Sequence, residues 1–224
     1  MLKSLLSIRR DIAFLSLLSV GLLFVKLNWL NAIPELFVGG YALGLIAEAV
    51  LASFVASFIF YFVVIHVKDH QDKERIAPHV KRWASRIVFN CNLQINSIAH
   101  ESGCELKFSN PDSENLALAL EKINPKLEPP ARLLTPKLKE NWLEMMASCA
   151  EDTEMAAQNI LRQALYINSN LVSIIIDITE TMHHRTIKVD AKIPLFNSTL
   201  RGHTDYFYAY WIKCRELDKH IEKM

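Results

Sequence analysis

The sequence predicts an all-α protein, with an N-terminal transmembrane helical hairpin followed by a cytosolic helical bundle. Three observations predict it. First, Leu36–Val67 is 32 residues long and carries one side chain charged at neutral pH, Glu48, with His66 near its end. As one helix it would be about 48 Å long, more than the roughly 20 residues that cross a hydrocarbon core about 30 Å thick. Second, charge is unevenly spread. Of the 49 Asp, Glu, Lys and Arg residues, seven lie in residues 1–67 and 42 in residues 68–224, where the two signs are equal. Third, beyond residue 77 apolar side chains return every three or four residues, the period of a helix.

These boundaries give a membrane hairpin over 1–67, with spans near 12–30 and 36–67, a charged juxtamembrane linker over 68–77 and a helical domain over 78–224. The last part is long enough for one compact core. Its balanced charge is no footprint for broad nucleic-acid binding, which shows a basic excess. The four cysteines, Cys91, Cys104, Cys149 and Cys214, are scattered and form no CxxC. They read as reduced, mostly buried thiols of a reducing compartment.

Taken in order, a short basic start precedes the apolar run Ile12–Leu30, interrupted by Lys26 and Asn28. A signal peptide is the rival reading, but no small-x-small cleavage site follows and a second apolar run comes almost at once. Lys26 can snorkel outward beside Trp29. Basic residues cluster before the first span and after the second, which puts both termini in the cytoplasm. Counting back about 20 residues from Val67 reaches Glu48 and sets it near the outer boundary. Two roles are open to it: an ion-path carboxylate, or an interfacial one facing Lys26.

The second span carries small residues every four positions: Gly40, Gly44, then past Glu48, Ala52 and Ala56, with Ala49, Ser53 and Ser57 alongside. Small residues let helices approach closely in lipid. The stripe serves either packing of the second span on the first or assembly of a homo-oligomer.

Pro78 suits a helix start, and Val80, Trp83, Ala84, Ile87, Cys91, Ile95 and Ile98 form one helical face ending near Gly103. Lys81, Arg82 and Arg86 are candidates for contact with lipid phosphates or a partner. Glu105–Asn110 reads as loop or short strand, and Pro111–Ile123 as a short helix. Three prolines exclude regular helix over Asn124–Leu134. Thr135–Pro136 then opens a helix through Trp142, Met145, Met146 and Cys149. Asp152 or Thr153 restarts one through Met155, Ile160, Leu161 and Leu165. A turn at Ile167–Asn170 leads to a helix over Leu171–Met182, although its isoleucine run would also suit a strand. Arg185–His203 reads as irregular. The last helix, about Asp205–Lys223, sets Phe207, Tyr210, Trp211, Cys214, Leu217 and Ile221 on one face.

No catalytic constellation emerges, so neither enzyme activity, cofactor nor metal is expected. His100-Glu101-x-x-Cys104 lacks the second histidine of a zinc-protease helix. His66 and His70 are only two ligands. His183-His184-Arg185 reads as a cationic helix end that complements the dipole. Tyr208 and Trp211, in the densest aromatic cluster, are candidates for partner contact.

Two close spans, the junction YFVVIHVKDHQDKERIAPHVKRWASRI, the segment YINSNLVSIIIDI and the tail FYAYWIKCRELDKHIEK together resemble two-transmembrane effectors of bacterial antiphage systems, notably those encoded beside retron reverse transcriptases. The resemblance covers nearly the whole chain and carries no catalytic motif. It implies a toxin of the bacterial inner membrane acting in antiviral defence by abortive infection. Its partners would be the lipid bilayer and a reverse transcriptase with its msDNA, which restrains it until infection. A passive membrane adaptor that docks a cytosolic partner is the alternative.

Overall fold

A helix satisfies its own backbone hydrogen bonds, so what distinguishes one stretch of this chain from another is where its apolar faces go. The computed structural model describes residues 10–29, 39–130, 140–193 and 198–224. These are all-helical apart from turns and one isolated antiparallel bridge between Lys107 and Asn110. The chain divides into two units, Met1–Arg75 and Ile76–Met224.

In the first unit, α1 (Arg10–Asn28) packs against α2 (Gly40–Phe60). Gly39 sits before α2 at φ 91°, a left-handed conformation that suits glycine. Lys26 bonds Gly44 and Glu48, while Ser16 lies in one groove with Ser53 and Ser57. The helices therefore run in opposite senses where they touch. On α2 the half-buried residues are Gly40, Gly44, Glu48, Leu51, Val55 and Phe58. On α1, Ser16 and Ser19 are buried and Leu23 and Lys26 half-buried. Steps alternating between three and four hold one face toward a partner. The expected stripe at steps of four does not, because each such step turns about 40° past a full circle. Gly40 and Gly44 accordingly face α1, whereas Ala52 and Ala56 rotate out and are exposed with Ala49, Ser53 and Ser57.

A π-helical turn, Tyr61–His66, follows α2 and leads into α3 (Val67–Ser102). The charged stretch 68–77 is thus helical. Pro78 does not open a helix; it lies well inside α3. Proline forfeits one backbone hydrogen bond there, but its fixed φ is helical.

In the second unit, the face of α3 expected from the periodicity is buried: Val80, Ala84, Ile87, Cys91, Ile95 and Ile98, with Trp83 packed at its edge. Gly103 follows at φ 66°. Asp112 caps α4 (Ser113–Glu121) by accepting from the amides of Glu114 and Asn115. Helix α5 (Trp142–Leu161) opens on a capping box, Asn141 with Glu144. The expected start at Thr135–Pro136 lies outside the described residues. No restart occurs at Asp152 or Thr153, since α5 runs through both. These cap-like side chains are used sideways: Asp152 accepts from Arg86 and Asn90, and Thr153 from Asn90.

Asn168 caps α6 (Ser169–Thr179), where Leu171, Ile174, Ile175 and Ile178 are buried. The 3.6-residue period prevails over β-branching because all four reach the core on one face. The expected helix to Met182 stops at Thr179, and Arg185–Asp190, expected to be irregular, joins Met182–His184 in a further helix, α7 (Met182–Asp190). Helix α8 (Thr204–Ile221) buries the aromatic and aliphatic face that its sequence marks. α3 to α8 share one core.

Asn141→Ala removes one half of the capping box and should cost about 1 kcal/mol. A lower urea midpoint at unchanged slope, followed by the fluorescence of Trp142 and Trp211, is the expected result.

Candidate functional site

α1 and α2 present a surface that no other described residue covers. Phe14, Phe24, Ile46 and Phe60 are each more than 60% exposed, and α2 has no buried residue at all. Contiguous exposed apolar surface of this kind marks contact with a membrane or another protein. By length and composition, one helical stretch among the described residues, Gly40–Ser102, can cross a membrane, and Phe14–Asn28 is a shorter apolar helix.

Within this apolar pair sits one ion pair. Lys26 Nζ lies 2.6 Å from a carboxylate oxygen of Glu48, with the two side chains 13% and 32% exposed. The ammonium also donates to the Gly44 carbonyl. A Cβ placed on Gly44 would lie 3.4 Å from Lys26 Cε, so the glycine makes room for the lysine stem. Below the pair, Ser16, Ser53, Phe54, Ser57, Phe58 and Tyr61 line a groove of about 400 Å³. Ser19 bonds back to the Leu15 carbonyl.

The basic residues after α2 take different roles. Lys81 and Arg82 are exposed, Arg82 lying over the Trp83 ring with its guanidinium carbon 5.5 Å from the centroid. Arg86 is committed to Asp152 through two bonds of 2.6 and 2.8 Å. Burial alone would push the Asp152 carboxyl up, but the bonds from Arg86 and Asn90 hold it below its usual range. Arg86 is thus part of the fold, which leaves Lys81 and Arg82 as the free-standing cations of the predicted trio.

The aromatic candidates separate in the same way. Trp211 is fully buried and its indole N–H donates to the Phe108 carbonyl at 2.9 Å, so it faces the core and not a partner. Tyr208 is half-buried at the core's edge. Burial pushes the Cys91 thiol up and the Cys149 thiol to about 12, which makes both unreactive. All four cysteines are free. Among the described residues no group of three His, Cys, Asp or Glu is placed to hold a metal.

The reading of His183-His184 as a cationic helix end is overturned. Both are 1% exposed and lie at the start of α7, packed on Phe207 and Tyr210. Their neutral rings occupy core positions, which a sequence pattern that scores histidine as polar does not register. No protein-family model, curated protein or solved structure matches this chain.

Breaking the ion pair on one side should be worse than removing both charges, because a lone charge is left in apolar surroundings. Lys26→Met should cost about 1–3 kcal/mol, while Lys26→Met combined with Glu48→Gln should recover most of it. The fraction of chain retained after alkaline carbonate extraction of membranes is the readout, lowest for the single variant.

Proposed function

We propose that this chain is a membrane-inserted toxic effector of a retron-type antiphage system. α1 and α2 form a transmembrane hairpin in the bacterial inner membrane with both termini in the cytoplasm. The second unit forms a cytosolic helical bundle, held inactive by a reverse transcriptase and its msDNA. On release, copies associate in the bilayer and perturb it.

The observation that best supports this reading is the far face of α2. Ala49, Ala52 and Ala56 are exposed there, while Gly40 and Gly44 are turned toward α1 and Ser53 and Ser57 border the groove that holds Ser16. A helix that needs small residues on a face its own partner does not use is suited to a second close helix contact in lipid. The exposed phenylalanines and isoleucines around it match hydrocarbon. The family-level resemblance supplies the defence context.

The alternative is a passive adaptor, favoured by the absence of any catalytic constellation among the described residues. Replacing α1 and α2 with an unrelated pair of membrane helices separates the two: an adaptor keeps its function and an effector loses it.

Expression without the restraining partners should depolarise the inner membrane, read with a voltage-sensitive dye. Ala52→Leu with Ala56→Leu should suppress depolarisation at normal insertion, because bulky side chains keep a second helix away. Gly44→Leu is a poorer probe of assembly, since it strikes Lys26 of its own chain. Normal potential at high expression of the inserted protein overturns the effector reading.

A further inference from the structure

α7 is a short helix that buries three side chains, His183, His184 and Ile187, and two of the three are imidazoles. His183 lies nearly parallel to Tyr210, with centroids 5.0 Å apart and planes at 20°, and edge-on to Phe207 at 5.1 Å. Both of its ring nitrogens are buried without a hydrogen-bond partner. His184 meets Tyr210 edge-on at 4.9 Å, and its Nδ1 is 3.0 Å from the Thr181 hydroxyl. That hydroxyl donates its own proton to the Ile178 carbonyl at 2.8 Å. It can therefore only accept from His184, so Nδ1 carries the hydrogen and Nε2 the lone pair. Nε2 is buried and has no partner. A proton arriving at either ring would create a buried cation whose new N–H has no acceptor.

We infer that α7 is an acid-sensitive latch, which His183 and His184 hold closed on α5 and α8 while both are neutral and which opens when they take up protons.

The surroundings offer little relief. From α5, the Glu154 carboxylate acts on His184, but it is already bonded to Lys188 of α7. From the turn Arg201–His203, His203 faces His183 and is itself 3.6 Å from Asp190 of α7. From α8 come Tyr210 and Cys214, and from α3 Cys91; burial pushes the Tyr210 phenol and the Cys91 thiol up and so keeps both neutral. On α7 itself, Arg185 is exposed. Burial pushes His183 well below its ordinary value and His184 down to about 4, the latter against the pull of Glu154. The closed state is thus fully favoured above the exposed-histidine value of about 6.5 and loses ground as pH falls below it.

Amide hydrogen exchange on the full chain in lipid nanodiscs tests this, corrected for intrinsic rates. Between pH 7.5 and pH 5 the opening of α7 should rise about thirtyfold for His184 alone, from a shift between about 6.5 open and about 4 closed, and further with His183. The α3 core should change little. His183→Phe keeps the stacking and His184→Asn keeps a donor to Thr181; each should flatten the pH dependence. Equal protection of α7 at both pH values overturns the inference, as does equal loss in α3 and α7 or a steep dependence surviving in both variants. Should the variants not fold, imidazole titration of the wild type decides: a value near 6.5 for both rings overturns the latch, and values well below support it.

Discussion

The constraint behind this structure is that apolar surface must leave water, and that a helix can hide only one face against a single neighbour. Six helices, α3 to α8, meet the constraint among themselves. Their aliphatic and aromatic faces converge on one core around Ile87, Cys91, Trp142, Met146, Ile175, Tyr210 and Trp211. α1 and α2 do not meet it. Each turns one face to the other and leaves leucines, isoleucines and phenylalanines outside. The proposal of insertion in a bilayer follows from that difference, with hydrocarbon taking the place of the missing helices.

Polar groups inside each unit obey a second rule: a buried charge needs a partner. Lys26 and Glu48 partner one another between α1 and α2, and the lysine adds the Gly44 carbonyl. In the second unit Asp152 gathers Arg86 and Asn90, tying α5 to α3. His183 and His184 depart from the pattern. They are buried by shedding their charge, not by pairing it, and a group that must stay neutral to stay inside makes the packing of α7 conditional on pH.

The same tertiary contacts sort residues that look alike in the sequence. Arg86 and Arg82 are both basic and four residues apart on α3, yet one is built into the fold and the other lies free over an indole ring. Gly44 and Ala56 belong to one repeating pattern, yet one accommodates a lysine stem and the other looks outward. For the proposed effector this sorting matters, because it separates the face of α2 that packs on α1 from the face proposed to meet a second copy.

The sequence by itself determined the all-helical class, the long apolar run and the core faces of α3, α6 and α8. Periodicity and length carry those features, and both are local properties of the chain. It did not reveal α7, two of whose three core positions are histidines, nor the unbroken course of α5, where Asp152 and Thr153 look like caps. Only the tertiary structure decided these, because a polar side chain is a cap, a surface group or a core group according to what lies across from it. The direction each small residue of α2 faces was likewise settled by packing: a helix repeats every 3.6 residues, so a stripe drawn at steps of four drifts around the axis until a neighbouring helix selects which part of it is used.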